Sequence, residues 1–447
     1  MIPVYHKENN GYICLEYKRI EDNGDMYEKT AENLLNYLKM SPTAFQAVNV
    51  MRERFLKEGF TELKEQERWK LQKGGRYFVT RNSSALIAFS IPETDVWKFH
   101  ITASHSDSPT FKIKENPEMK VQDAYVRLNV EGYGGMIMSS WFDRPLSVAG
   151  RLVVRENGEL VEKLVNVDRD FVMIPSLAIH MNREVNNGYQ LNPQKDLLPL
   201  FGCGDTEGKF WTIIAESAGV REEDILGHDL FLYNRCAGSI WGADREFLSA
   251  GRLDDLQRAF ASMEGFLNGK KESAIAVHCV LDNEEVGSGT KQGAAATFLR
   301  DTLLRMNTGL RRSYEEYLMT LACSFMISAD NAQAMHPNYT EKADPVNRPV
   351  LNQGPVIKFS ANQKYCTDAV SCAYFKNLCQ KAGVPYQTYV NRSDIPGGST
   401  LGNISTSQVA VNMVDIGLPQ LSMHSSYETA GVKDTWFLSR VLEEFYA

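Results

Sequence analysis

Ala274-Ile275-Ala276-Val277-His278-Cys279-Val280-Leu281 is a short, almost wholly apolar run, and Asp282-Asn283-Glu284-Glu285 follows it directly. Its length suits a buried strand better than a helix. Ligands of open α/β sheets bind beyond the carboxyl ends of strands, so an acidic doublet at this point stands where chemistry is usually done. The same arrangement recurs along the chain. His105 and Asp107 stand just past the apolar run 99–103, and Asp330 just past the run ending at Ile327-Ser328. His424 comes shortly after the stretch 409–414, and Asp254 opens a helix whose stripe is Leu256, Phe260, Met263 and Leu267. Each has an ordinary explanation when taken alone: a solvated turn, a helix cap, a hydrogen-bonded pair. Their joint register points to one convergent site.

The rest of the chain fits around that site. The first hundred residues read as helix, helix, then strands. Ser41-Pro42 is read as an N-cap with proline at the first helical position. Phe45, Val48, Met51 and Phe55 then form one buried stripe. Ala85–Phe89 and Phe99–Ala103 are read as strands. Between about 110 and 245 the pattern changes to period two, as in Val126–Glu131. Asn157-Gly158 sits between the apolar runs 151–154 and 160–167, a hairpin signal. This middle third reads as an all-β module, and helix–strand alternation resumes near 250. The expected fold is α/β, with residues 1–109 and 246–447 forming one domain that is interrupted by a β-rich insertion at 110–245.

Composition narrows the function. The 447 residues are 43% hydrophobic and 23% charged, with 48 basic against 56 acidic side chains and a net charge of −8. That balance argues against nucleic acid and anionic lipid as partners. No apolar stretch is long enough to span a bilayer, and Met1-Ile2-Pro3-Val4-Tyr5-His6-Lys7-Glu8 lacks the apolar core of a signal peptide. The eight cysteines include no C-x-x-C pair and read as reduced, which makes a cytoplasmic location the expectation.

Two imidazoles with several carboxylates suit zinc, manganese or cobalt. Charge favours two ions over one: three carboxylates (Asp254, Glu285 and Asp330) against two divalent cations leave one positive charge, which a bridging hydroxide neutralises. Glu284 remains as a free base beside a metal ligand, as hydrolysis requires.

At this point the sequence resembles a known family. Ser104-His105-Ser106-Asp107-Ser108-Pro109, Tyr133-Gly134-Gly135 with Trp141-Phe142-Asp143-Arg144, and Arg252-Leu253-Asp254-Asp255-Leu256 are similar to blocks of the M18 metallo-aminopeptidases, the aspartyl aminopeptidase family. Asp282-Asn283-Glu284-Glu285-Val286-Gly287-Ser288 carries the likeness most strongly. It continues through Ser328-Ala329-Asp330 with His336-Pro337-Asn338-Tyr339, Pro396-Gly397-Gly398-Ser399-Thr400, and Asp415-Ile416-Gly417-Leu418 leading to Met423-His424-Ser425. The blocks span about 100 to 430, in order.

The resemblance implies an α/β/α sandwich metallopeptidase domain carrying an inserted dimerisation domain, and a dinuclear aminopeptidase acting on short peptides. Asp254 would bridge the metals, with His105 and Asp330 completing one ion and Glu285 and His424 the other. Glu284 would be the general base and Asp107 the orienter of His105. His180 would reach a partner subunit's substrate and His336 would lie near an oligomer contact; apart from the resemblance, Lys358 is read as a lysine that meets an acidic substrate side chain, the alternative being a solvated one. The implied assembly is a homo-oligomer, a tetrahedral dodecamer built from dimers. Three positions depart from the family pattern. Asp255 stands where some members carry Asn, Gln333 where some carry His, and Tyr427 where others carry an arginine. The last two leave neutral or hydrophobic first residues open beside acidic ones. Two alternatives also stay open: a metal-dependent deacylase of N-acyl substrates and a non-catalytic peptide-binding scaffold.

Overall fold

The computed structural model describes residues 24–398 and 400–447, together with the backbone of an antiparallel hairpin formed by Ile2–Glu8 and Gly11–Lys18. That hairpin precedes the two helices and has no place in the helix–helix–strand reading of the sequence. The helices are Gly24–Met40 and Ala44–Lys57. Ser41 is not the cap of the second one. Its N–H donates to the Leu38 carbonyl and its own carbonyl accepts from Arg252 Nε at 3.0 Å, so it closes the first helix instead. Thr43, in extended conformation, is the N-cap residue. The stripe Phe45, Val48, Met51 and Phe55 is buried, as its spacing predicts.

The central sheet has nine strands. In spatial order they are Gln387–Val390, Val356–Phe359, Asn412–Gly417, Phe325–Ala329, Phe99–His105, Ile275–Leu281, Ala85–Ser90, Arg76–Arg81 and Thr61–Leu63. The four from Asn412–Gly417 to Ile275–Leu281 are mutually parallel. Parallel strands covered on both faces read as continuous apolar runs, and every residue of Phe99–His105 and Ile275–Leu281 is buried. Successive side chains go to opposite faces. Leu86, Ala88, Ala276 and Val280 join one core with the helices Gly24–Met40, Ala44–Lys57, Leu253–Asn268, Ala369–Ala382 and Asp434–Phe445. Ile87, Phe89, Val277 and Cys279 join the other, against Phe298–Gly309 and its neighbours. The result is an α/β/α sandwich.

The stretch from Thr110 to Asn234 builds its own six-stranded antiparallel sheet with a separate core around Leu128, Val148, Leu152 and Leu230. Asn157 and Gly158 form the expected hairpin tip, both at positive φ (53° and 86°), between Leu146–Glu156 and Glu159–Asn166. The all-β reading needs correction, since Pro193–Asp196 is a short helix and a longer one follows. Lys209–Ala218 is a ten-residue helix that packs Phe210 and Ile214 into this core and is bounded at both ends by left-handed glycines, Gly208 and Gly219. A small five-stranded sheet, Ser239–Trp241, Phe247–Ala250, Glu428–Gly431, Pro419–Leu421 and Ala332–Gln333, lies beside the central one. Among the described residues, no helix is long and apolar enough to cross a membrane.

His278 shows how fully this sheet is enclosed. It is wholly buried between Phe55 and Phe266 (ring centroids 6.0 and 5.9 Å), and burial pushes its pKa down to about 3. The folded protein holds it neutral while the unfolded chain protonates it below about pH 6.5. Stability from this group is therefore complete above that pH and falls, by about 1.4 kcal/mol per unit, as pH drops towards 3. His278→Leu is expected to flatten the stability–pH curve in that window, measured by denaturation at fixed pH steps; parallel curves for the two proteins would contradict it.

Candidate metal centre

The parallel register brings the polar ends together. Leu281 lies opposite His105 and Ser328 opposite Ala103, so the residues that follow each strand emerge at one edge. The His105 backbone N–H donates to Asp255 Oδ2 at 3.0 Å. Nδ1 of its ring lies 3.2 Å from Asp107 Oδ1, which leaves Nε2 facing Asp254 Oδ1 at 3.7 Å. His424 approaches the same carboxylate from the other side, its Nε2 3.4 Å from Asp254 Oδ2 and 3.5 Å from Glu285 Oε2. Each oxygen of Asp254 thus meets one imidazole.

Asp107 holds the acidic doublet in place. Its two oxygens accept from the backbone N–H groups of Glu284 and Glu285, both at 3.1 Å, and Oδ2 also accepts from the Tyr133 hydroxyl at 2.7 Å. Glu428, buried on its strand, does the same for the other two loops, accepting from the Asp254 N–H at 3.0 Å and the His424 N–H at 2.7 Å. A cavity of about 410 Å³, bordered by Asp107, Tyr133, Asn283, Ser426 and Glu428, lies against these loops.

The electrostatics are those of crowded, buried carboxylates. Burial, reinforced by Asp330, Asp107 and Asp254, lifts Glu284 to about 7. Burial and the charge of Asp254 lift Glu285 well above the usual range, and burial carries Glu428 to about 8. Burial also works against ionised Asp254, but the facing imidazoles of His105 and His424 outweigh it and hold its pKa down. Both histidines are pulled down by burial and more than restored by neighbouring carboxylates, ending above their ordinary value. Asp254 Oδ1 and Glu285 Oε1 are buried with no hydrogen-bond donor among the described residues. A buried carboxylate oxygen without a partner is costly, and a cation is the natural partner. Among the described residues, three groupings offer ligand atoms within 4.8 Å of one another: His105 with Asp254 and Asp255, His105 with Glu284 and Glu285, and Asp254 with Glu285 and His424. The mixed imidazole–carboxylate donors fit a divalent metal.

The other sequence candidates fall as follows. Asp330 stands at the same sheet edge, outside those three groupings, with Oδ2 accepting from Lys358 Nζ at 3.3 Å and Oδ1 3.9 Å from Arg258. Lys358 is buried beside it, over the Tyr365 ring. His180 is exposed on the insertion among the exposed side chains of Leu177, Ile179 and Met181. His336 accepts from the Asn338 N–H and lies 5.0 Å from the Tyr339 ring. Two residues escaped the sequence reading. Arg258, wholly buried, pairs with Asp255 and reaches the Ile416 carbonyl; a cation on the inner face of an apolar helix, one turn from Asp254-Asp255, was the available sign. Glu428 offered only its spacing, four residues after His424.

A family model described as aminopeptidase I zinc metalloprotease (M18) matches residues 37–446. The chain belongs to the M18 family. It is 47% identical over 424 residues to a probable M18 family aminopeptidase 2 of Clostridium acetobutylicum, covering 93% of this chain and 98% of that one. A Pseudomonas aeruginosa protein of the same description is 39% identical over 424 residues, covering 93% and 97%. Among solved structures, a chain in the cryo-EM structure of the Ape4 and Nbr1 complex superposes with a TM-score of 0.91 at 33% identity, covering 94% of this chain and 86% of that one. The S. cerevisiae mApe1 dodecamer gives 0.83 at 26%, covering 94% and 97%. The protein is a metallo-aminopeptidase, a hydrolase with the M18 fold.

In this M18 aminopeptidase Arg258 is the buried counter-charge for Asp255 and Asp330. Arg258→Met leaves Asp255 unpaired in the interior, at a cost of about 3–5 kcal/mol. A denaturation midpoint lowered to match is expected; an unshifted midpoint would show that the pair carries no such weight.

Proposed function

We propose that the protein removes the first residue of short peptides with two divalent ions, zinc in the first instance with manganese or cobalt as alternatives, and Glu284 as general base. One observation carries the reading: the two oxygens of buried Asp254 face two different imidazoles, His105 and His424, a disposition suited to a carboxylate shared between ions. His105 and Asp330 would complete one ion, Glu285 and His424 the other. When bound, the ions supply Lewis acidity for the scissile carbonyl and lower the pKa of water.

The chain's own residues do the rest. Glu284 takes the proton of the attacking water and delivers it to the leaving amine. A single carboxyl can do both in turn, as base towards the water and then as acid towards the amine. Asp107 keeps the His105 ring turned with Nε2 inward and fixes the Glu284 backbone. Lys358 stands at the edge of the site and supports an acidic first residue, while its pairing with Asp330 leaves neutral and hydrophobic ones as substrates too.

Homo-oligomerisation through the insertion is part of the proposal, with the mApe1 dodecamer as precedent and exposed Leu177, Ile179 and Met181 as support. His180, on that surface, would contribute to a partner's substrate site, and His336 to an oligomer contact. Seven free cysteines among the described residues suit a cytoplasmic protein.

The test is hydrolysis of Asp-, Glu-, Leu-, Lys- and N-acetyl-Leu-peptides by metal-loaded protein, with a chelated control. Chelator-sensitive release of free first residues is expected, and Glu284→Gln should lose about 10²–10⁴-fold in kcat while retaining metal. Cleavage of the acetylated peptide alone would favour a deacylase, and no turnover with metal bound a scaffold. Lys358→Met is expected to lower the Asp-to-Leu rate ratio by about tenfold, the value of one charge-assisted contact of about 1.4 kcal/mol; an unchanged ratio would remove Lys358 from substrate recognition.

A further inference from the structure

Residues Tyr133–Ser140, which leave the last strand segment of Tyr125–Tyr133, belong to the insertion but touch the metal centre on two sides. On one side the Tyr133 hydroxyl donates to Asp107 Oδ2 and accepts from Asn283 Nδ2, both at 2.7 Å. Asn283 is itself tied down, its Oδ1 accepting from Thr290 Oγ1 and Gln292 Nε2 at 2.7 Å. The hydroxyl therefore feeds the one carboxylate that holds the Glu284 and Glu285 backbones and faces the His105 ring. On the other side the Ile137 N–H donates to the His424 carbonyl at 3.0 Å, and Ser140 Oγ accepts from the Ser426 N–H at 2.8 Å.

Between these contacts the chain passes very close to a ligand. Gly134 has φ 73°, and a Cβ there would stand 3.0 Å from Glu285 Cβ and 3.3 Å from its carbonyl oxygen. The 410 Å³ cavity is bordered by Tyr133 and by its partners Asp107 and Asn283.

We propose that this strap is a positioning element of the metal centre. Tyr133 sets the Asp107 carboxylate, and through it His105, Glu284 and Glu285; Ile137 and Ser140 set the loop that carries His424. The proposal rests on the reading of these residues as ligands and base. It makes the insertion a supporting wall of the site as well as a surface, so its placement is felt at the ligands.

Tyr133→Phe keeps the ring against Phe231, 5.6 Å away, and removes only the hydroxyl. The expected result is a kcat lowered about 10–100-fold with KM unchanged, and zinc passing faster to a chromogenic chelator, with the circular dichroism spectrum unaltered. Phe231→Leu, which loosens the packing and spares the hydroxyl, is expected to do neither. Unchanged zinc release and kcat in Tyr133→Phe would overturn the proposal, and so would an equal effect of Phe231→Leu. Wild-type protein that takes up no zinc would instead remove the metal-centre reading, and the proposal with it.

Discussion

The register between two parallel strands governs the site. Because Ile275 pairs with Phe99 and Leu281 with His105, the strands end level, and Asp282-Asn283-Glu284-Glu285 must turn away at the height of the His105 ring. Phe325–Ala329, on the other side of the His105 strand, brings Asp330 to the same edge. Side chains alternate strictly along strands, so a slip of one residue would send His105 into the wrong layer. The two apolar layers clamped on this sheet prevent that slip. The chemistry therefore depends on cores that contain none of its residues.

Level strand ends deliver polar groups but do not aim them. Aiming falls to carboxylates that use both oxygens on backbone N–H groups: Asp107 for the acidic doublet, Glu428 for Asp254 and His424. A carboxylate bonded to backbone fixes a loop without using a side chain of that loop, which leaves Glu284, Glu285, Asp254 and His424 free to face inward. Among the described residues, the loops thus meet at the centre while being held from behind.

Much of this was open to a reader of the sequence. Continuous apolar runs such as 274–281 announced buried strands, and the acids and histidines at their ends announced the edge where they meet. Asn157-Gly158 announced its hairpin because two consecutive positive-φ positions favour those residues. What escaped had physical reasons. Ser41 carries a cap's side chain, but its backbone is already taken by Leu38 and Arg252, partners 3 and 211 residues away. Lys209–Ala218 is a helix in a region whose alternation reads as strand, because Phe210 and Ile214 have a sheet face to cover. Glu428 and Arg258 act on backbones and buried charges brought near only by folding, and no local pattern encodes that.

Arg258 has one more consequence. Asp255 and Asp330 already have internal cations, Arg258 and Lys358, so the pocket is not a bare cluster of negative charge. Mutual repulsion among its carboxylates is met in part by groups that arrive with the chain itself. Part of the cost of gathering acidic side chains is thus met by the polypeptide itself, through a helix and a strand that each carry a cation into the interior.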